Sequence, residues 1–162
     1  MAKYTTYDGP EGRLFLAVDD RGRVLRLHFV DGASPVEPGW ERDDAALAPV
    51  VAQLDEYFAG DRADFELELA PRGTPFQLEV WEQLRRIPYG ETISYGELAQ
   101  RVDRPGAARA VGAANGQNPI AIIVPCHRVI GADGSLTGFG GGLTWKQWLL
   151  DREQPQGSLL DR

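Results

Sequence analysis

The chain has 162 residues and a formal net charge of −7, with 43% hydrophobic and 25% charged side chains, the composition of a soluble globular protein of one domain or two small lobes. One cysteine excludes an internal disulfide and, with two histidines, leaves no ligand set for a structural zinc. No segment approaches the roughly 18 apolar residues of a membrane span.

The N-terminus, Met1-Ala2-Lys3-Tyr4-Thr5-Thr6, lacks the apolar core of a signal peptide, which with the single thiol predicts a reducing cytoplasm. Residues 1–70 hold 7 Lys/Arg and 15 Asp/Glu, a balance of −8, whereas residues 71–162 hold 10 and 9, a balance of +1. Acid is thus confined to the N-terminal part. The nearly neutral remainder permits a polyanionic partner, bound with modest, salt-sensitive affinity.

In chain order, Leu14–Val18 and Arg23–Val30 read as two strands, joined through Asp19-Asp20-Arg21-Gly22. His28 falls on the mixed face of the second strand, as a solvated histidine. Asp31 to Trp40 is a Pro- and Gly-rich loop. Asp43-Asp44 then caps a helix carrying Leu47, Val50, Val51, Leu54, Tyr57 and Phe58 at helical spacing, ended by Gly60. Phe65–Leu69 alternates as a further strand. Together these predict a small antiparallel sheet with a helix laid on it, in a domain spanning 1–72.

A second domain is expected over 73–162. Thr74 caps and Pro75 opens a helix with Phe76, Val80, Trp81 and Leu84 on its buried stripe. Ser94 caps the next helix, and Glu97 is placed to complete a capping box. After Asp103-Arg104-Pro105-Gly106, residues Ala107 to Asn115 form another short helix, giving a helix-turn-helix candidate. That second helix holds Arg109 as its one long charged side chain, among alanines and Gly112. It suits close approach to a phosphodiester backbone or a shallow minor groove better than base readout. The alternative is that its small residues let two helices pack tightly.

The apolar run Ile120–Val124 delivers Pro125-Cys126-His127-Arg128-Val129. A lone cysteine is ordinarily a small buried hydrophobe. To attack carbon, a thiol needs a base or a cation beside it. Consecutive side chains diverge, so His127 reaches Cys126 most easily through a bridging water, with Glu153 at the end of the last helix as the carboxylate on the far imidazole nitrogen. Gly138-Phe139-Gly140-Gly141-Gly142 exposes backbone N–H groups but lacks the spacing of a phosphate-binding fingerprint.

Pro125-Cys126-His127-Arg128-Val129 resembles the active-site signature of the O6-alkylguanine-DNA alkyltransferases. Ile93-Ser94-Tyr95, Ala108–Gly112, Asn118-Pro119, Gly141-Gly142-Leu143, Lys146 and Leu149-Leu150 with Glu153 all fall at that family's spacing. The resemblance is close over 74–153 and loose before it. It implies an α+β fold, with a small ribonuclease H-like antiparallel sheet and helix followed by a mostly helical domain containing the helix-turn-helix. The implied activity is a single-turnover transfer of the alkyl group from O6-alkylguanine, and from O4-alkylthymine, to Cys126, with no cofactor and no metal.

By the same resemblance His127 is the water-mediated base, Glu153 polarises it, Tyr95 protonates the guanine at a ring nitrogen and Asn118 braces the turn. Arg109 enters the base stack, with Ala107, Ala108, Ala110, Gly112, Ala113 and Arg128 in the DNA-contacting set. Val124, Pro125, Val129, Phe139 and Gly140 line the pocket with Tyr95. Phe139 stands where the family usually has tyrosine and Gly140 where some members have serine, implying a roomier lid. The implied partner is double-stranded alkylated DNA held by its minor groove, bound by a monomer that can be cooperative on DNA, with no membrane involved. A non-catalytic lesion-binding relative lacks the nucleophilic cysteine, and a cysteine hydrolase needs turnover and a second histidine or an oxyanion site, neither of which the sequence places.

Overall fold

The computed structural model describes residues 2–30, 36–136 and 142–154. It divides into two compact units, Met1–Arg72 with Pro119–Ile123, and Gly73–Asn118 with Val124–Arg162.

The first unit is built on strands β1 (Lys3–Gly9), β2 (Gly12–Val18), β3 (Val24–Phe29) and β4 (Glu41–Arg42), in the spatial order β3-β2-β1-β4. β1 and β3 both pair antiparallel with β2, and the short β4 lies parallel to β1. The sequence pattern does not predict β1, because its tyrosines and threonines carry little apolar alternation. It forms because every residue from Lys3 to Gly9 finds a partner between Val18 and Gly12. Leu14 to Val18 are all buried, and Phe15, Ala17, Leu25 and Ala2 make a cluster roofed by Tyr4, Val30, Trp40 and Ala70. His28 is half-buried rather than solvated, and burial, then the Arg26 charge, lowers its pKa.

Two expectations for this unit are corrected. Phe65–Leu69 does not form a strand; it contributes one parallel bridge, Val24 to Leu69. Asp43 and Asp44 do not cap the helix. α1 (Ala48–Ala59) starts after Leu47 with no side-chain cap and has a proline in its first turn, where no N–H donor is needed. Asp43 closes the preceding turn on Ala46 N–H, and Asp44 accepts from the Thr5 hydroxyl at 2.6 Å. Val50, Leu54 and Tyr57 form its buried stripe, and Gly60 ends it at φ 86°, a left-handed conformation open to glycine.

Pro119–Ile123 groups with the first unit. Leu27 N–H donates to Pro119 C=O, and Ala121 N–H to Leu27 C=O, both at 3.0 Å. The apolar run that precedes Cys126 is therefore core of the first unit up to Ile123.

The second unit comprises α2 (Pro75–Arg85), β5 (Ile93–Ser94), α3 (Tyr95–Arg101), α4 (Ala108–Gly116), a 3-10 turn at Cys126–Arg128, β6 (Val129–Ile130) and α5 (Leu143–Arg152). Thr74 caps α2 in a full capping box with Gln77. Val80, Trp81 and Leu84 are buried, and the Trp81 indole donates to Ala114 C=O at 2.8 Å, which ties α2 to α4. At α3 the expected box is only half made: Ser94 Oγ accepts from Glu97 N–H, but the Glu97 carboxylate takes Arg101 at 2.7 Å. No described helix is long and apolar enough to cross a membrane.

Candidate active site

The site grows from a two-stranded sheet. β5 and β6 run parallel, pairing Ile93 with Val129 and Ser94 with Ile130. Tyr95 leaves one end of this ribbon to start α3, and the Cys126–Arg128 turn enters the other strand directly. A local pairing thus brings Tyr95 and the Cys-His-Arg turn into one neighbourhood despite their sequence separation. The Tyr95 ring lies against Gly112 of α4, where an added Cβ would meet it at 3.5 Å. Gly112 therefore seats Tyr95.

The turn itself is tightly held. Cys126 N–H donates to Val124 C=O at 2.8 Å, and Arg128 N–H to Pro125 C=O at 3.0 Å. Asn118 Nδ2 donates to Val124 C=O at 2.8 Å, and its side chain also hydrogen-bonds the Cys126 thiol. Just upstream, Ile122 sits at φ 70°. A β-branched residue in the left-handed region costs on the order of 1–3 kcal/mol, so this stretch stores strain. Cys126 is 6% exposed. Burial pushes its thiol pKa up, against the Asn118 hydrogen bond and the charge of Lys146, which pull it down. At rest the group is a thiol, and it needs a proton acceptor to become a nucleophile.

That acceptor has a candidate. His127 is fully buried, and its Nε2 lies 2.8 Å from Glu153 Oε2. Burial raises the Glu153 carboxyl, but the His127 ring, once protonated at low pH, and the Arg128 guanidinium outweigh it by charge and hydrogen bonding and hold its pKa at about 2. An ionised carboxylate only accepts, so Nε2 carries the hydrogen and the lone pair is on Nδ1. Nδ1 is buried and has no partner among the described residues. Burial, more than any neighbouring charge, lowers the His127 pKa, so the ring rests neutral.

Glu153 is fixed from several sides. Trp145, Leu149 and Leu150 of α5 are buried, and Glu153 N–H donates to Leu149 C=O. The Tyr89 hydroxyl donates to Arg152 C=O at 3.1 Å, and Gly90, at φ 86°, leaves room for Glu153 C=O, which a Cβ would meet at 3.0 Å. Arg128 grips the carboxylate at two points, Nε to Oε1 at 2.7 Å and Nη2 to Oε2 at 2.9 Å, and its Nη1 donates to Ile87 C=O at 2.6 Å. The expectation that Arg128 contacts DNA is corrected: its guanidinium is buried and committed to these partners. Lys146, also fully buried, donates to Val129 C=O at 2.7 Å.

On α4, Val111, Ala114 and Asn115 face inward, and Arg109, Ala110 and Ala113 are exposed. Ala107, Ala108 and Gly112 are partly covered. Arg109 makes no ion pair among the described residues. Val124, Pro125 and Val129 are buried around the turn. Phe139 and Gly140, expected in the pocket wall, lie outside the described residues.

Sequence reasoning missed three participants. Asn115, 2% exposed, directs Nδ2 at Cys126 C=O at 3.4 Å; the signal was an amide on the buried stripe of a helix otherwise made of small residues. Ile87 C=O and the Tyr89 ring, 5.7 Å below the Arg128 guanidinium, carried no sequence signal, since both act on Arg128 through the fold.

Comparison with known proteins agrees over the whole length. Residues 75–155 match the 6-O-methylguanine DNA methyltransferase, DNA binding domain, and residues 2–71 match the 6-O-methylguanine DNA methyltransferase, ribonuclease-like domain. A methylated-DNA–protein-cysteine methyltransferase of Mycolicibacterium paratuberculosis is 55% identical over 156 residues, 95% of this chain and 93% of that protein. The crystal structure of Mycobacterium tuberculosis O6-methylguanine methyltransferase is similar at a TM-score of 0.89 and 49% identity, with all of both chains covered. That of Mycobacterium tuberculosis OGT in complex with DNA is similar at 0.88 and 48%, covering 99% of each.

Proposed function

The chain belongs to the 6-O-methylguanine DNA methyltransferase family, and from that membership we propose that the turn at Cys126 is where it takes alkyl groups from damaged DNA. The protein repairs DNA by direct reversal, as a methylated-DNA–protein-cysteine S-methyltransferase that acts once. One observation carries the assignment of the site. The single thiol sits in a rigid turn, next to a neutral imidazole whose outer nitrogen is anchored to an ionised carboxylate.

In the proposed reaction His127 Nδ1 accepts the Cys126 proton through a bridging water. The thiolate attacks the alkyl carbon in line, an S–C bond forms and the C–O6 bond breaks. The electron pair returns to guanine, and Tyr95 donates its phenolic proton to a ring nitrogen, so that the base leaves neutral. The thiol proton ends on His127, stabilised by Glu153, and can return to the tyrosinate. S-alkyl cysteine has no hydrolytic exit. The protein is consumed.

DNA is the partner. The minor groove fits α4, whose exposed face is alanines with Arg109 standing clear of any carboxylate among the described residues. Arg109 then fills the gap left by the flipped base, with Ala107, Ala108, Ala110 and Ala113 close to the backbone. Val124, Pro125 and Val129 line the proposed pocket with Tyr95. A monomer, able to bind cooperatively along DNA and working in the cytoplasm, completes the reading.

The experiment is stoichiometric: mix the protein with excess duplex containing O6-methylguanine and count bases repaired per chain. A plateau at one supports the proposal. Continued turnover points to a hydrolase, and tight binding with no repair to a non-catalytic lesion binder, the reading that Cys126 disfavours.

A further inference from the structure

Arg128 is spent inside the site, and its position carries a consequence for His127. Three ionisable groups are buried together: Glu153 at 2% exposure, Arg128 at 6% and His127 at 0%. One carboxylate oxygen, Oε2, takes both Arg128 Nη2 and His127 Nε2, and the other takes Arg128 Nε. Tyr89 stacks beneath the guanidinium, and Ile87 C=O occupies the remaining arm.

Burial penalises net charge. With Arg128 in place, the carboxylate is already neutralised, and a neutral imidazole leaves the cluster at zero. If the guanidinium were absent, the same carboxylate would be a buried unpaired anion, and the nearest group able to cancel it by taking a proton from solvent is His127. An imidazole protonated in that way has no lone pair left for the thiol. The other groups facing His127 do not alter this balance. Lys146 of α5 is cationic and works in the same direction as Arg128, and Cys126 is a neutral thiol at rest.

We propose that Arg128 is a positioning residue for the transfer reaction, one that keeps His127 unprotonated, with Nε2 held on Glu153, by pairing with that carboxylate at two points. The proposal deepens the site reading above and rests on it. Its readout, however, is the charge on His127, which can be measured whether or not any alkyl group is transferred.

The chain has two histidines, so imidazole ¹⁵N chemical shifts give two resolvable titrations, with half-buried His28 of the first unit as internal reference. In the unmodified protein His127 is expected neutral at pH 7, with hydrogen on Nε2. In Arg128→Gln its titration should move to higher pH by about one unit or more, with transfer at pH 7 falling about tenfold and recovering as pH rises. In Arg128→Lys, which keeps charge and loses the fork, His127 should stay neutral at pH 7 while transfer slows at every pH. A His127 already charged at pH 7 in the unmodified protein would overturn the proposal with no variant needed, which covers the case that Arg128→Gln does not fold. So would a folded Arg128→Gln protein whose rate drops equally at all pH values with the His127 titration unmoved, or a charged His127 in Arg128→Lys.

Discussion

Asn118 Nδ2 donates to Val124 C=O at 2.8 Å, closing the bend that leads into Cys126, and the same side chain hydrogen-bonds the thiol. One amide thus fixes the path of the chain and opposes the rise that burial imposes on the thiol pKa. Asn118→Ala should destabilise the protein by about 1 kcal/mol, since it removes one of the two hydrogen bonds to Val124 C=O and leaves only the one from Cys126 N–H. It should also raise the thiol pKa, so that transfer slows at neutral pH and recovers in part as pH increases. Urea unfolding and a pH–rate series measure the two effects. A slower transfer with unchanged pH dependence would show that Asn118 acts through the turn alone.

Arg109 stands exposed on α4 and makes no ion pair among the described residues. If it fills the gap left by a flipped base, Arg109→Ala should slow transfer from duplex DNA roughly 10-fold or more and leave transfer from the free base O6-methylguanine nearly unchanged, a few kcal/mol of unstacking being at stake in the duplex alone. Equal losses on both substrates would contradict this role.

Gly112 faces the Tyr95 ring, and a methyl added at this position would just make contact with it at 3.5 Å. Gly112→Ala is expected to be tolerated, gaining about 0.5–1 kcal/mol of helix stability by thermal melting. Gly112→Val has no such room. It should displace Tyr95 and reduce transfer well beyond any change in DNA affinity, a split that fluorescence binding and single-turnover kinetics resolve.

Glu153 has a folded pKa of about 2, against an ordinary value of 4.5. The unfolded chain therefore binds more protons in this range, and the carboxylate's contribution, roughly 3 kcal/mol, is complete above pH 4.5 and lost as pH falls toward 2. Glu153→Gln should be less stable than the unmodified protein by about that amount at pH 6, and the two should converge near pH 2. A constant difference across pH would mean that Glu153 stabilises by shape rather than charge.

What the sequence made legible tracks how local each determinant is. Thr74-Pro75 and Gly60 announced helix ends because capping is a matter of adjacent residues. Cys126, His127, Asn118 and Glu153 are singled out together by the resemblance of their motifs to the alkyltransferase family, and the structure gathers them around one turn. The charge of Arg128 was also visible, but its destination was not: whether a guanidinium reaches DNA or a buried carboxylate depends on where α5 ends. β1 escaped notice for a related reason. A polar strand is specified by the strand it pairs with, here Gly12–Val18, rather than by its own pattern.

The central claim is tested most directly by locating the transferred group. The protein is incubated with duplex DNA containing O6-methylguanine, digested, and its peptides weighed, with Cys126→Ser treated in parallel. The mass of one CH₂ should be gained on the peptide containing Cys126 and on no other, in a one-to-one ratio with repaired guanine, and Cys126→Ser should bind the lesion duplex but gain nothing. Methyl found on another residue, or repair by Cys126→Ser, would contradict the claim.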